Sequence, residues 1–277
     1  MFYWQGLGAA FMLVTATIGA QAAEKNWTVE GEALKISKSC ARSVDIQPGG
    51  AGHQVTIAAS AEKEGEISPL RVTGGSVAAL DIDGSCYSAG LFSTRPTLSL
   101  SIKVPDGAAI EVKDGGITHY TIGAVGGVLT MSLSGAGGLK AAGAKTLTLE
   151  LSGAGAAEIG EAGESHLRSS GAGDVTIHHL RGDIEVKSSG AGNLTVDDIE
   201  AASVNLRASG HSDIKFGKGS IGNFTLDSAG ASNAVVNATV KDAKISVSGA
   251  GDVKFAKLTG HLDQSISGIG NVTVVEH

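Results

Sequence analysis

The chain has 277 residues, with 41 Gly, 4 Pro, 2 Cys and only 4% aromatics. Its 21 Lys and Arg against 28 Asp and Glu give a net charge of −7, which argues against a nucleic-acid binder and against electrostatic docking on an anionic membrane. Charged residues make up only 18% and branched aliphatics are plentiful, so a buried core is expected rather than disorder.

Residues 1–22 read as a cleavable signal peptide. The apolar run over 7–19 is too short for a comfortable membrane span, and Ala20-Gln21-Ala22 supplies a small-x-small cleavage pattern. The mature chain then starts at Ala23, with no second apolar run long enough to span a bilayer. This points to a periplasmic or secreted, surface-located protein. In such an oxidising compartment Cys40 and Cys86 are expected to pair, closing a loop of about 45 residues. Their spacing is far from C-x-x-C and no Cys-His cluster accompanies them, which disfavours a redox or metal role.

Residues 23–109 hold alternating runs separated by Gly, Pro and Ser turns. Ser43-Val-Asp-Ile46, Gln54-Val-Thr-Ile57, Ala79-Leu-Asp-Ile82 and the run over 98–104 all read as strands. No repeat motif occurs among them. This segment is expected to cap the N-terminal end of the repeat region that follows, with a boundary near Pro105-Asp-Gly107.

From 110 to 277 the chain is a repeat. Ser134-Gly-Ala-Gly137, Ser152-Gly-Ala-Gly155, Ser170-Gly-Ala-Gly173 and Ser189-Gly-Ala-Gly192 recur, then Ser209-Gly-His-Ser212 and Ala229-Gly-Ala-Ser232. Ser248-Gly-Ala-Gly251 and Ser267-Gly-Ile-Gly270 complete the series, with steps of 18, 18, 19, 20, 20, 19 and 19 residues. A weaker copy at Gly115 makes about nine units.

Within a unit the apolar residues alternate. Val175 and Ile177 flank Thr176, Leu194 and Val196 flank Thr195, and Ile184 and Val186 flank Glu185. That period of two is a half-buried strand, since a helix would place apolar residues three and four apart. Each unit is therefore two short strands with a corner at S-G-A-G, where glycine is expected for its tolerance of positive φ. Asp174, Asn193, Asp213, Asn233, Asp252 and Asn271 come just after the corners and are expected to bond local backbone. One unit cannot bury its apolar row alone, but stacked units can. An all-β parallel β-helix, or β-solenoid, is predicted in preference to a hairpin sandwich.

A strand-rich start, the run over 98–105 and tandem S-G-A-G-[DN]-[VL]-[TK]-[IVF] units resemble the GIN-domain family, also labelled an auto-transporter adhesin head. The resemblance implies an exported bacterial β-solenoid and brings no catalytic residues with it. It suggests a non-enzymatic binding or envelope-surface module whose ligand is a protein or glycan of the cell surface.

Other chemistries fare poorly. Gly217-Lys-Gly-Ser-Ile-Gly222 matches G-x-G-x-x-G but lies in a strand repeat, outside any βαβ unit, and no other cofactor motif occurs. Calcium rolls need an acidic nonapeptide twice per turn, whereas here the motif comes once and its carboxylate is often replaced. A polysaccharide-active β-helix enzyme needs two carboxylates about 5–10 Å apart. Asp197-Asp198 is the adjacent acidic pair available, and His211 falls on a different edge of the predicted rod.

Two features remain. Glu161, His179, Asp198 and Lys218 lie nine residues past successive anchors, so they should stack as a surface charge ladder. Together with their neighbours, His178, His179, Asp197 and Asp198 form a weak candidate metal site, because imidazole and carboxylate suit divalent transition metals. The Val-rich run over 271–277 forms a last rung with little to cover its edge, which suggests pairing with a second copy as a homodimer. A structural oligomer is therefore the other rival to a binding module.

Overall fold

The computed structural model describes residues 22–82 and 96–276. Residues 1–21 of the expected 1–22 leader and Cys86 lie outside these residues, and so does the expected pairing of Cys40 with Cys86.

The chain opens with β1 (Ala23–Glu30), β2 (Ala33–Ile36), β3 (Ser43–Pro48) and β4 (Gln54–Ala61). After a helical turn, α1 (Glu64–Ile67), come β5 (Leu70–Thr73), β6 (Val77–Ile82), β7 (Ser99–Val104) and β8 (Ala109–Asp114). The repeats continue as β9 (His119–Leu133), β10 (Gly138–Leu151), β11 (Ala156–Ser169), β12 (Val175–Leu180) and β13 (Ile184–Ser188). Then come β14 (Leu194–Ala208), β15 (Asp213–Ser228) and β16 (Asn233–Val247). The described chain ends in β17 (Val253–Leu258), β18 (Leu262–Ile266) and β19 (Val272–Glu276).

These strands wind into a parallel β-solenoid of about 9 turns. Each long strand bends in mid-rung and pairs in parallel with the rung before and the rung after. In β10, for example, Leu139 faces Ala157 of β11 on one edge and Tyr120 of β9 on the other. The repeat step sets this register, with residue i opposite i+18 between β10 and β11 and i+20 between β14 and β15. Where a rung carries an extra residue, the ladder absorbs it at a bulge, as between Phe216 and Ser220.

The N-terminal region is interlaced with the rungs. β3 lies between β7 and β9 and runs parallel to both. β2 likewise lies between β6 and β8. An early pair of strands is thus slotted between rungs built from later sequence. Beyond it, β4 runs antiparallel along β7, and β1 antiparallel along β4. On the other face β5 runs antiparallel along β6. Segment 23–109 therefore supplies both a parallel rung and the antiparallel strands at that end of the rod.

A buried polar cluster pins the inserted rung. Ser39 Oγ donates to Asp114 Oδ2 at 2.5 Å, and the Tyr120 hydroxyl donates to the same oxygen at 2.6 Å. Thr118 Oγ1 donates to the Ala41 carbonyl at 2.8 Å, and the Gly116 amide donates to Asp114 Oδ1 at 3.0 Å. The 37–42 loop is thereby tied to the first corner of the repeats. Burial first, then the neighbouring Asp114 carboxyl, pushes the Tyr120 phenol well above its ordinary range.

The core is the stacked inward row. Ile177, Val196, Phe216, Val236 and Phe255 are all fully buried on successive rungs of one face. Phe224 meets Phe216 and Phe255 edge-to-face, with ring centroids 6.0 and 5.3 Å apart. The inward positions expected from alternation are the inward positions found.

Two expectations about the corners are corrected. The anchor glycines do not adopt positive φ; among the described glycines only Gly49, Gly52, Gly75, Gly107 and Gly219 do. Their requirement is close approach. A β-carbon on Gly190 would stand 1.8 Å from the carbonyl oxygen of Gly171, and one on Gly171 would stand 1.9 Å from that of Gly153. The same carbonyls accept hydrogen bonds from the next rung, as when the Ala191 amide donates to Gly171 O at 3.0 Å.

The Asx residues, too, act between rungs and not locally. The Asn193 amide donates to Asp174 Oδ1 at 2.9 Å, Asp213 N to Asn193 Oδ1 at 3.3 Å, and Asp252 N to Asn233 Oδ1 at 3.2 Å. Side-chain acceptors so supply the ladder where the corner pulls backbone carbonyls out of line. At the far end, β18 and β19 each pair along one edge among the described residues, and Val275 there is 63% exposed.

Candidate functional site

The predicted charge ladder exists. Glu161 lies opposite His179, His179 opposite Asp198, and Asp198 opposite Lys218. Its strongest contact comes from a residue the ladder did not include. Arg181 Nη1 donates to Asp198 Oδ1 at 2.8 Å, while Lys218 Nζ lies 3.4 Å from Oδ2. The Arg181 hydrogen bond, reinforced by Lys218, holds the Asp198 carboxyl below the usual carboxylate range.

The four candidate metal ligands do not converge: His179 stacks between Glu161 and Asp198 in the ladder, while the other three are held by separate contacts. His178 Nδ1 sits 2.7 Å from Asp197 Oδ2, and its Nε2 is 3.4 Å from Glu158 Oε1. Glu158 is also held by Lys140 Nζ at 3.1 Å. The two carboxylates thus flank opposite nitrogens of one imidazole, which a metal bound between them could not use together. The Asp197 bond first, then Glu158, raises the His178 pKa. Asp198 meanwhile is committed to Arg181 and Lys218. Among the described residues, no three His, Cys, Asp or Glu side chains gather closely enough to hold a metal ion.

The Gly217–Gly222 motif lies within β15, where no helix N-terminus exists to receive a phosphate. His211 stands at an S-G-A-G corner, its amide donating to Gly190 O, while Asp197 and Asp198 stand in mid-rung. The structure does not bring them together.

A different feature has the shape of a site. Where the second strand of each rung turns into the S-G-A-G corner, a groove of about 390 Å³ crosses five rungs. Along one wall Glu150, Arg168, Lys187, Arg207 and Asp227 stand in unbroken register. The exposed anchor residues Ser170, Ser189 and Ser209 form the other wall. Lys187 is engaged by Glu185 on its own strand, Nζ to Oε1 2.6 Å. Arg168 and Arg207 have no carboxylate within ion-pair distance among the described residues, and Glu150 turns away to accept from Ser132 at 3.3 Å. Sequence reasoning missed this column, although it lies two residues before three consecutive anchors.

The rod's interior offers little room. The void near Leu149, Val186 and Ile214 measures about 20 Å³, no more than a water's space. No helix among the described residues is long and apolar enough to cross a membrane.

Comparison with known proteins agrees with this architecture. The structure of a putative adhesin from Parabacteroides merdae ATCC 43184 aligns with a TM-score of 0.56 at 15% identity, covering 93% of this chain and 96% of that one. A putative lipid binding protein from Parabacteroides distasonis ATCC 8503 aligns with a TM-score of 0.51 at 13% identity, covering 91% and 96%. At such identities the likeness is one of fold alone. No curated protein matches the chain. Residues 180–277 match the family described as putative auto-transporter adhesin, head GIN domain.

Proposed function

We propose that this protein is an exported, non-enzymatic, adhesin-like binding module of the bacterial envelope or cell surface. The observation that carries this reading is the solenoid itself. Its apolar residues are spent on the interior, and its corners present a groove of exposed cations and hydroxyls in rung-by-rung register. Such a surface suits a repeating ligand laid along the rod. The match to an adhesin-head family over 180–277 supports the same reading.

Against catalysis stand the dispersed acidic residues. Asp198 is neutralised by two cations, Asp197 is paired with His178, and His211 lies at another corner. The second reading, a structural oligomer, draws on the one-sided pairing of β18 and β19. In it the edge of β18 and β19 left unpaired among the described residues contacts a second copy. Cosedimentation of the purified protein with isolated bacterial envelopes tests the binding reading. Saturable retention, lost when the protein is heat-unfolded, is expected; recovery of all the folded protein in the supernatant would contradict it.

A further inference from the structure

The overall charge is −7, yet one column of the rod carries three consecutive cations. Arg168 faces Lys187 and Lys187 faces Arg207, so their backbones are spaced by one rung each, about 4.8 Å. Like charges placed directly opposite across a ladder repel each other. The outer two have Glu150 and Asp227 as neighbours on the adjoining rungs, but neither carboxylate closes an ion pair with them. Neither guanidinium has an ion-pair partner among the described residues, and both line the groove.

The opposite wall supplies neutral donors. Ser170 and Ser189 are exposed and make no side-chain hydrogen bond among the described residues, and the Ser169 hydroxyl between the walls is buried without a partner. No aromatic ring lines the groove. Single-stranded nucleic acid normally binds by stacking its bases on aromatic side chains, and neutral sugars would find no ring here to pack against. What the groove offers is a row of positive charge beside a row of hydroxyls.

We propose that this groove binds a linear anionic polysaccharide, its carboxylates or sulfates on Arg168, Lys187 and Arg207 and its hydroxyls on the serine wall. The proposal rests on the reading of the protein as a surface-binding module and names the ligand class for it. Guanidinium groups suit planar carboxylates and sulfates because they offer paired donors in a fixed fork. Glu150 and Asp227 close the cationic row at its two ends and set its length to three rungs. An isolated small anion would use one cation, whereas a chain with charges recurring every rung would use all three, and one with charges every second rung would use Arg168 and Arg207.

The test measures binding to immobilised polygalacturonate and dextran sulfate, with neutral dextran and single-stranded DNA as further arms. The wild type should bind one or both anionic polysaccharides, with an affinity that falls as salt rises. The exposed pair Arg168→Ser/Arg207→Ser should lower that affinity by about tenfold or more and reduce the log–log salt slope by roughly one per cation removed. Lys254→Ser, which removes an exposed cation from the other strand face, should leave it unchanged. Equal binding by the double variant would overturn the proposal, as would DNA binding tighter than either polysaccharide. Failure of the wild type to bind either anionic polysaccharide would also overturn it. Retention on whole envelopes in that last case would leave the broader binding reading intact, and loss of both would remove the two together.

Discussion

The α-carbon of Gly190 lies against the carbonyl oxygen of Gly171 so closely that an added β-carbon would stand 1.8 Å from it. The contact repeats up the corner, from Gly135 over Gly116 to Gly268 over Gly249. No side chain at the far end of a flexible arm can yield here, since the clashing atom is backbone. Gly190→Ala should therefore destabilise the protein by about 2 kcal/mol or more, the range of strain at an over-determined position. At this size that is a melting temperature lower by roughly 4–8 °C. Gly65→Ala, which meets nothing within 4 Å, is the control and should leave the melting temperature unchanged or slightly raised. Calorimetry of both variants checks this, and a neutral Gly190→Ala would contradict the account of the corner.

Tyr120 is expected to be the lynchpin of the inserted rung. Tyr120→Phe keeps the ring in the core and removes one of two hydroxyl donors from the buried Asp114 Oδ2. Losing a buried hydrogen bond to a carboxyl should cost about 1–3 kcal/mol. Denaturant unfolding at equilibrium reads this directly. A variant as stable as the wild type would show that the cluster does not hold the 37–42 loop.

His178 gives the protein a pH-dependent contact. Its pKa is raised in the folded state, chiefly by Asp197 and then by Glu158, so the protonated form is the one that stabilises. That stabilisation is complete below the ordinary imidazole value and is lost as pH rises through the raised folded-state value. The side chain is 41% exposed, which makes the effect small and salt-sensitive. His178→Gln should therefore lower the melting temperature at about pH 5 and much less at about pH 9. A deficit independent of pH would refute the pairing. The same preparations should carry no stoichiometric zinc or copper; metal lost in Asp197→Asn would instead make this corner a metal site.

Much of the rod could be read from the chain because anchor spacing and alternation are both local. Counting from the anchors placed Glu161, His179, Asp198 and Lys218 side by side and put Phe216, Phe224 and Phe255 inside. What was not legible depends on contacts through space. Glycine at the corner answers to an atom on the previous rung, and Asn193 serves the amide of Asp213, not its own turn. The insertion of β2 and β3 between later strands leaves no periodic trace, because only one rung is made that way. Arg181 escaped notice as the partner of Asp198 because it lies past the strand end, outside the alternating pattern. The Arg168, Lys187 and Arg207 column was within reach of the same counting, at two residues before three anchors, had each column been searched for charge.

Cys40 packs partly buried against the core, within the loop that carries Ser39. If it pairs with Cys86 as expected, thiol titration of unfolded, unreduced protein from the periplasm should find no free thiol. Two free thiols would refute the pairing.

The edge of β18 and β19 left unpaired among the described residues offers a test of self-association. Light scattering across a rising protein concentration should show a monomer giving way to a dimer, and Val275→Lys, at an exposed position on β19, should keep the monomer. A wild type that stays monomeric at high micromolar concentration would remove the structural-oligomer reading.

Binding without turnover is the central claim, and one measurement meets it most directly. The protein is incubated for many hours with the polysaccharide that retains it, and both retention and newly released reducing ends are monitored. The prediction is saturable retention with the polysaccharide recovered at its original chain length. Steady release of reducing ends, abolished in Asp197→Asn or Asp198→Asn, would make the protein an enzyme and contradict the account.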